Sequence, residues 1–218
     1  MRNKLMIAAL ASGLAISGCA TDPNTGQQRL NKSAIGALAG AAGGATISKA
    51  TGGDKTGRDA AIGAALGAGV GYYMERQAKQ LEQQMAGTGV TVEQNPTTGN
   101  IDLVMPGNIT FSFDSAMLSS SFMPTLDKLA STMNQYNKTT VNIAGHTDSK
   151  GAANYNMGLS RERANSVANY LRNRGVASNR INVMAYGQTR PIADNNTDYG
   201  RQQNRRVELT INSPQSVN

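Results

Sequence analysis

Asp148 and Arg163 are the two side chains best placed to do recognition chemistry in this sequence. A carboxylate and a guanidinium at one pocket mouth can hold a zwitterionic amino-acid head. The carboxylate takes the ammonium, and the guanidinium takes the carboxylate in a bidentate fork. Read alone, the same two residues also make a plain salt bridge capping a helix, and that is the simpler account. Val141 and Ile143 mark a strand closing at Gly145, so Asp148 follows a strand end. Leu159, Ala164, Val167, Ala168 and Leu171 define the next helix, with Ser160 as its N-cap and Gly175 as its terminator. Arg163 then falls in the first turns, where the helix N-terminus adds partial positive charge. The loop between them carries Gly151.

Other chemistries find little support. The chain has one Cys, one His and no Trp in 218 residues. A single Cys excludes an internal disulfide framework and a multi-thiolate zinc site. The single His146 argues against His-rich metal sites and most nucleophile–base arrangements. It reads as a strand-end residue packing or hydrogen bonding locally, and Tyr155 as a packing residue. No diagnostic acid–base pair stands out among the seven carboxylates after residue 106. Gly52-Gly53-Asp54-Lys55-Thr56 brushes against a phosphate-binding loop, but Asp54 breaks the required Gly-Lys-Thr run. No catalytic residue, metal or cofactor is expected, and the chain does not read as an enzyme.

Charge and glycine divide the chain into zones. Lys and Arg number 21 against 14 Asp and Glu, a net +7. Residues 1–18 carry two bases and no acids, residues 19–106 are balanced, and residues 107–218 carry +5. Of 24 glycines, 16 fall before residue 90. Arg2 and Lys4 followed by the apolar run Leu5 to Ile16 form an export signal over 1–18. It ends in Ile16-Ser17-Gly18-Cys19, which resembles the bacterial lipoprotein processing box, with Cys19 as the acylated first residue of the mature chain. By resemblance to sorted lipoproteins, Ala20 implies the outer membrane. An export signal argues against nucleic acid as the partner of the basic surplus.

A linker over 19–32 leads to Gly36, Gly40 and Gly44, and then to Gly63, Gly67 and Gly71. Spacing of four puts each glycine set on one helical face, so residues 33–74 read as a glycine-zipper helical hairpin. Bilayer insertion, self-association into a homo-oligomer and a soluble packed hairpin all stay open. Met74, Ala78, Leu81 and Met85 continue a stripe through an amphipathic stalk at 75–89, read as a packed connector and ended by Gly87 and Gly89.

Strands then alternate with helices. Val90–Val92 and Ile101–Leu103 flank a turn, a hairpin over 90–106. Ile109, Phe111 and Phe113 alternate as a strand, and Phe122, Leu126, Leu129, Met133 and Tyr136 form a helix stripe. Ile181, Val183 and Ala185 give another strand, and Val207, Leu209 and Ile211 the last. The expectation is an α/β (α+β) sandwich with βαβ units over 107–212, preceded by the helical hairpin and followed by a tail at 213–218. Residues 19–89 hold no set of ten-residue alternating strands, which excludes a β-barrel porin. Arg161, Arg172, Arg174 and Arg180 read as a solvated face.

The run from Gly145-His146-Thr147-Asp148 through Gly151, Tyr155-Asn156, Leu159-Ser160 and Arg163-Ala164 resembles the signature of OmpA-like peptidoglycan-binding domains. Phe113-Asp114-Ser115 and Asn204-Arg205-Arg206-Val207-Glu208 resemble the family's other two blocks, in the same order. The resemblance implies an OmpA-like C-terminal fold. It implies that Asp148 and Arg163 hold the free end of meso-diaminopimelate in the peptidoglycan stem peptide. Thr147, Asn156, Asp114 and Arg205 are implied as further pocket residues, with Arg206 as an alternative to Arg205 because adjacent strand residues face opposite sides. The implied partners are peptidoglycan and, through Cys19, the outer membrane. The alternative is an assembly protein driven by the glycine zipper, in which the domain is only a locator.

Overall fold

A computed structural model describes residues 19–21, 28–30, 56–112 and 114–217. The export signal, the first glycine arm at Ser33–Ser48 and Phe113 lie outside the described residues. Strand β1 (Cys19–Thr21) pairs antiparallel with β2 (Gln28–Leu30), a short ribbon within the unit formed by residues 1–31.

The first described element of the second unit is α1 (Thr56–Met85), 30 residues in one continuous helix. At 1.5 Å per residue it is about 45 Å long. Its C-terminal half is no free stalk. Met74, Ala78, Leu81 and Met85 are all at most 1% exposed and belong to the core of the following domain. The apolar stripe is the cause, because a helix buries the face that its 4-3-4 spacing makes apolar. Gly87 and Gly89, at φ +75° and +83°, then turn the chain. No helix among the described residues is long and apolar enough to cross a membrane.

Strand β3 (Thr91–Gln94) and β4 (Ile101–Pro106) form the expected hairpin, with Thr91 opposite Val104. It is not a separate module, because β4 continues into a five-stranded sheet of order β3-β4-β7-β5-β6. In that sheet β5 is Thr140–His146, β6 is Ile181–Gly187 and β7 is Arg206–Asn212. Strands β5 and β6 run parallel, joined by α4 (Ala153–Asn173), which is the expected βαβ unit. Period-two burial places Ile101, Leu103, Met105, Val141, Ile143, Val207, Leu209 and Ile211 in the core, all at 0% exposure. Helices α1, α3 (Met123–Gln135) and α4 supply the opposing layer through residues such as Leu81, Leu129 and Val167.

Three local expectations are corrected. The segment read as a strand through Ile109 and Phe111 opens with a one-turn helix, α2 (Gly107–Thr110), after which Phe111 only bridges Leu118. Thr110 is buried beside Phe111 and donates from Oγ1 to the Pro106 carbonyl, so apolar alternation does not describe this stretch. Ser160 is no N-cap, since α4 starts seven residues earlier at Ala153. Its hydroxyl instead donates to the Met157 carbonyl and accepts the Gly187 N–H, stitching α4 to β6. Arg180 is not a solvated residue. Its guanidinium donates to the carbonyls of Met133, Tyr136 and Thr139, closing the C-terminal end of α3, where carbonyls lack helical partners.

One glycine decides how closely the layers meet. A Cβ on Gly145 would overlap the Ser160 carbonyl oxygen, so β5 and α4 can cross here only without a side chain. Gly175, at φ +91°, ends α4 as expected.

Candidate ligand-binding site

The six residues singled out from the sequence all line one cavity of about 430 Å³: Asp114, Thr147, Asp148, Asn156, Arg163 and Arg205. Its walls come from the segment after β5, the N-terminal half of α4, the α2–Asp114 segment and the junction of α5 (Asp198–Asn204) with β7.

The β5 end is fixed by backbone and side chain together. Thr147 N–H donates to the Gly187 carbonyl at 2.9 Å, continuing the sheet by one bond. The Thr147 hydroxyl donates to the Asp148 carbonyl. Asn156, 3% exposed, donates from Nδ2 to the carbonyls of Asp148 and Lys150 and to Gln188 Oε1. Thr147 and Asn156 therefore hold the loop's shape, and their polar hydrogens are already committed. Gly151, at φ +88°, supplies the turn that returns the chain to α4.

Each carboxylate oxygen of Asp148 accepts one hydrogen bond from the protein and can accept a second. Oδ1 accepts the Lys150 N–H at 2.9 Å, and Oδ2 accepts from Arg205 Nη1 at 2.5 Å. The simple Asp148–Arg163 salt bridge is thus not what forms, because Asp148 pairs with Arg205 from across the sheet. Arg205 rather than Arg206 lines the cavity. Arg206 is 3% exposed and bonds Glu208 and the carbonyls of Asn204 and Arg190.

Arg163 is the more exposed electrostatic problem, though the less exposed residue at 5%. It lies in the third turn of α4, not at the helix start, so the N-terminal dipole contributes less there than expected. Its Nε donates to the Ser115 carbonyl at 2.9 Å, and its guanidinium carbon sits 5.3 Å from the Phe111 ring centroid. Both terminal nitrogens are without a hydrogen-bond partner among the described residues. Burial pushes its pKa down, the Asp114 charge opposes that shift, and the nearby Arg205 adds to it. A guanidinium stays charged under such a shift, so the cavity holds a desolvated cation fixed in direction.

Asp114 is exposed and adopts φ +44°, the left-handed region that Asp tolerates better than most residues. The Tyr155 hydroxyl lies 3.5 Å from its carboxylate. Tyr155 is 55% exposed and lines the cavity, so it is not the packing residue its spacing suggests. Sequence reasoning also missed Lys150 and Phe111. Lys150 carried a signal in its place between Asp148 and Gly151, whereas Phe111 was masked by its apparent strand pattern.

His146, 2% exposed, sits beneath the sheet end, its ring 5.3 Å from that of Tyr186. Its Nε2 is 3.5 Å from Glu208 Oε2, long for a hydrogen bond, while Arg206 Nε holds the same carboxylate at 2.7 Å. The His146 ring facing the carboxylate, and then the Arg206 hydrogen bond and charge, hold the Glu208 pKa at about 2, against the opposing effect of its own partial burial.

Comparison with known proteins bears on the family and the fold. Residues 110–205 match the OmpA family, and residues 1–79 match the YMGG-like Gly-zipper. The chain is 47% identical over 212 residues to the probable lipoprotein YiaD of Escherichia coli strain K12, covering 94% of this chain and 96% of that one. It is 37% identical to the peptidoglycan-associated lipoprotein of Legionella pneumophila, over 45% of this chain and 56% of that protein. Among solved structures, a cell wall anchor of the T6SS from Pseudomonas aeruginosa superposes with a TM-score of 0.57 at 30% identity, covering 63% of this chain and 97% of that one. The chain belongs to the family of the Escherichia coli probable lipoprotein YiaD, and its C-terminal domain is an OmpA-family domain.

Proposed function

We propose that this chain is an outer-membrane lipoprotein that tethers the envelope by gripping peptidoglycan non-covalently. The anchor is an acylated Cys19, and the grip is the cavity at the end of β5. Asp148 takes the ammonium of a diaminopimelate side chain, and Arg163 takes its carboxylate. The observation carrying this reading is a buried guanidinium whose terminal nitrogens have no hydrogen-bond partner among the described residues, in the same cavity as a carboxylate. Such a pair matches a zwitterion in charge and in hydrogen-bond direction. Lys150, Arg163 and Arg205 against Asp114 and Asp148 leave the lining with a surplus of positive charge, suited to an acidic wall polymer. The relatives that carry cell-wall names point the same way.

The test is co-sedimentation of the purified chain with peptidoglycan sacculi. Losing one charge-assisted contact costs roughly 1.5–3 kcal/mol, so Asp148→Asn and Arg163→Ala each weaken binding about ten- to hundredfold. Both variants sedimenting like the parent would sink the assigned pocket. In cells, Cys19→Ser should move the chain from the membrane fraction to the soluble periplasmic fraction. Retention of that variant in the membrane would shift the anchoring role to the glycine segment.

A further inference from the structure

A second cavity of about 360 Å³ adjoins the first and shares Asp114, Tyr155 and Leu159 with it. Its floor is the outer face of α4, where Tyr155, Gly158 and Glu162 stand three and four residues apart and so lie in line. Gly158 is unexplained by packing. A Cβ built there meets nothing within 4 Å. A glycine inside a helix costs about 1 kcal/mol relative to alanine, so the domain carries that cost without an internal gain. What the missing side chain does provide is an open trough along the helix backbone, walled by Tyr155 on one side and by Ser115 and Ala116 on the other. Charge balance differs between the two cavities. The first has Lys150, Arg163 and Arg205 against Asp148 and the shared Asp114, while the second has Asp114 and Glu162 and, among the described residues, no cationic lining residue.

We infer that this trough is a second subsite, which takes the uncharged continuation of the stem peptide next to the gripped diaminopimelate and discriminates against a free carboxylate there. The inference rests on the proposed grip. Three shared lining residues make the two spaces continuous, so the occupant of the second is whatever is covalently next to the head held in the first. A peptide plane can lie flat on the helix at Gly158 with the Tyr155 ring beside it. A terminal carboxylate in the same place would face Asp114 and Glu162, whereas an amide would not. The domain therefore prefers stems in which a further residue follows the diaminopimelate through an amide bond over stems that end at that point.

The test is calorimetric titration of the full chain in detergent with three soluble probes. These are meso-diaminopimelate, a diaminopimelate peptide ending in a free carboxylate, and the same peptide ending in an amide. The parent should bind the amide about fivefold more tightly than the acid, the scale of one like-charge contact in water. Glu162→Gln should bring the two within about twofold by improving the acid. Gly158→Gln fills the trough and should weaken the amide peptide about tenfold. It should leave meso-diaminopimelate unchanged and the melting temperature equal or higher, because helix propensity improves. Equal binding of acid and amide by the parent, or a Gly158→Gln chain that binds the amide peptide normally, overturns the second subsite. A parent that fails to bind meso-diaminopimelate at all overturns the grip itself, and the subsite with it.

Discussion

Leu81 provides the sharpest test of where this domain begins. It is 0% exposed, and with Met74, Ala78 and Met85 it joins the same core as Leu129 of α3 and Leu103 of β4. Truncating a fully buried leucine removes its transfer free energy and leaves a cavity, at a cost of about 2–5 kcal/mol. Domains of this size are stable by only about 5–15 kcal/mol, so the loss is a large share. At a urea slope of about 2 kcal/mol/M, the midpoint of Leu81→Ala should fall by about 1–2.5 M. Glu82→Ala, one residue on and exposed, is the matched control and should change stability by less than about 0.5 kcal/mol. Circular dichroism during urea unfolding reads both. If the Leu81→Ala midpoint moved no further than that of Glu82→Ala, the helix would be a free stalk and the core assignment would be wrong. A fragment starting at residue 90 should then also fold as well as the whole chain, which the buried stripe forbids.

Two further substitutions probe the sheet end. Glu208 has a folded-state pKa of about 2 against an ordinary 4.5, so its contribution is present above pH 4.5 and is lost as pH falls toward 2. Its side chain is 36% exposed, which trims that contribution to about 1–2 kcal/mol. Glu208→Gln should lower the urea midpoint at pH 7 and match the parent near pH 2, and a gap that stays constant with pH would contradict the assignment. Gly145→Ala forces α4 away from β5, and should cost about 3 kcal/mol and several degrees of melting temperature. A shift below about 2 °C would show that the two layers can slide apart freely.

Long periodic elements were legible before any coordinates, and short or tertiary features were not. The stripe from Phe122 to Tyr136 and the alternation through β7 survive because each buries one complete face. The hairpin at β3 and β4 was legible too, since its turn carries Asn95, whose side chain accepts the N–H groups of Thr97 and Thr98. Stretch 107–112 misleads because Ile109 lies inside a one-turn helix and Phe111 in the extended bridge after it, so their alternation spans two conformations. The start of α4 was misplaced because Ser160, a good capping residue, is spent on bonds to Met157 and Gly187. At the site, the residue types could be read from the motif, but the pairing could not. Asp148 meets Arg205, 57 positions away, and only the order of strands in the sheet brings them together.

The unbroken run of α1 has a mechanical meaning. In the proposed tether, any pull between membrane and wall enters the domain through this helix, because the same rod that leaves the glycine segment ends inside the core. From Thr56 onward the load passes through helix rather than through a linker. It acts along the helix axis and must shear Met74, Ala78, Leu81 and Met85 past their neighbours together, so resistance is shared across about three turns of helix. Turgor fluctuations would accordingly be felt at the fold itself, and the force at which α1 slips out would set the strength of the link.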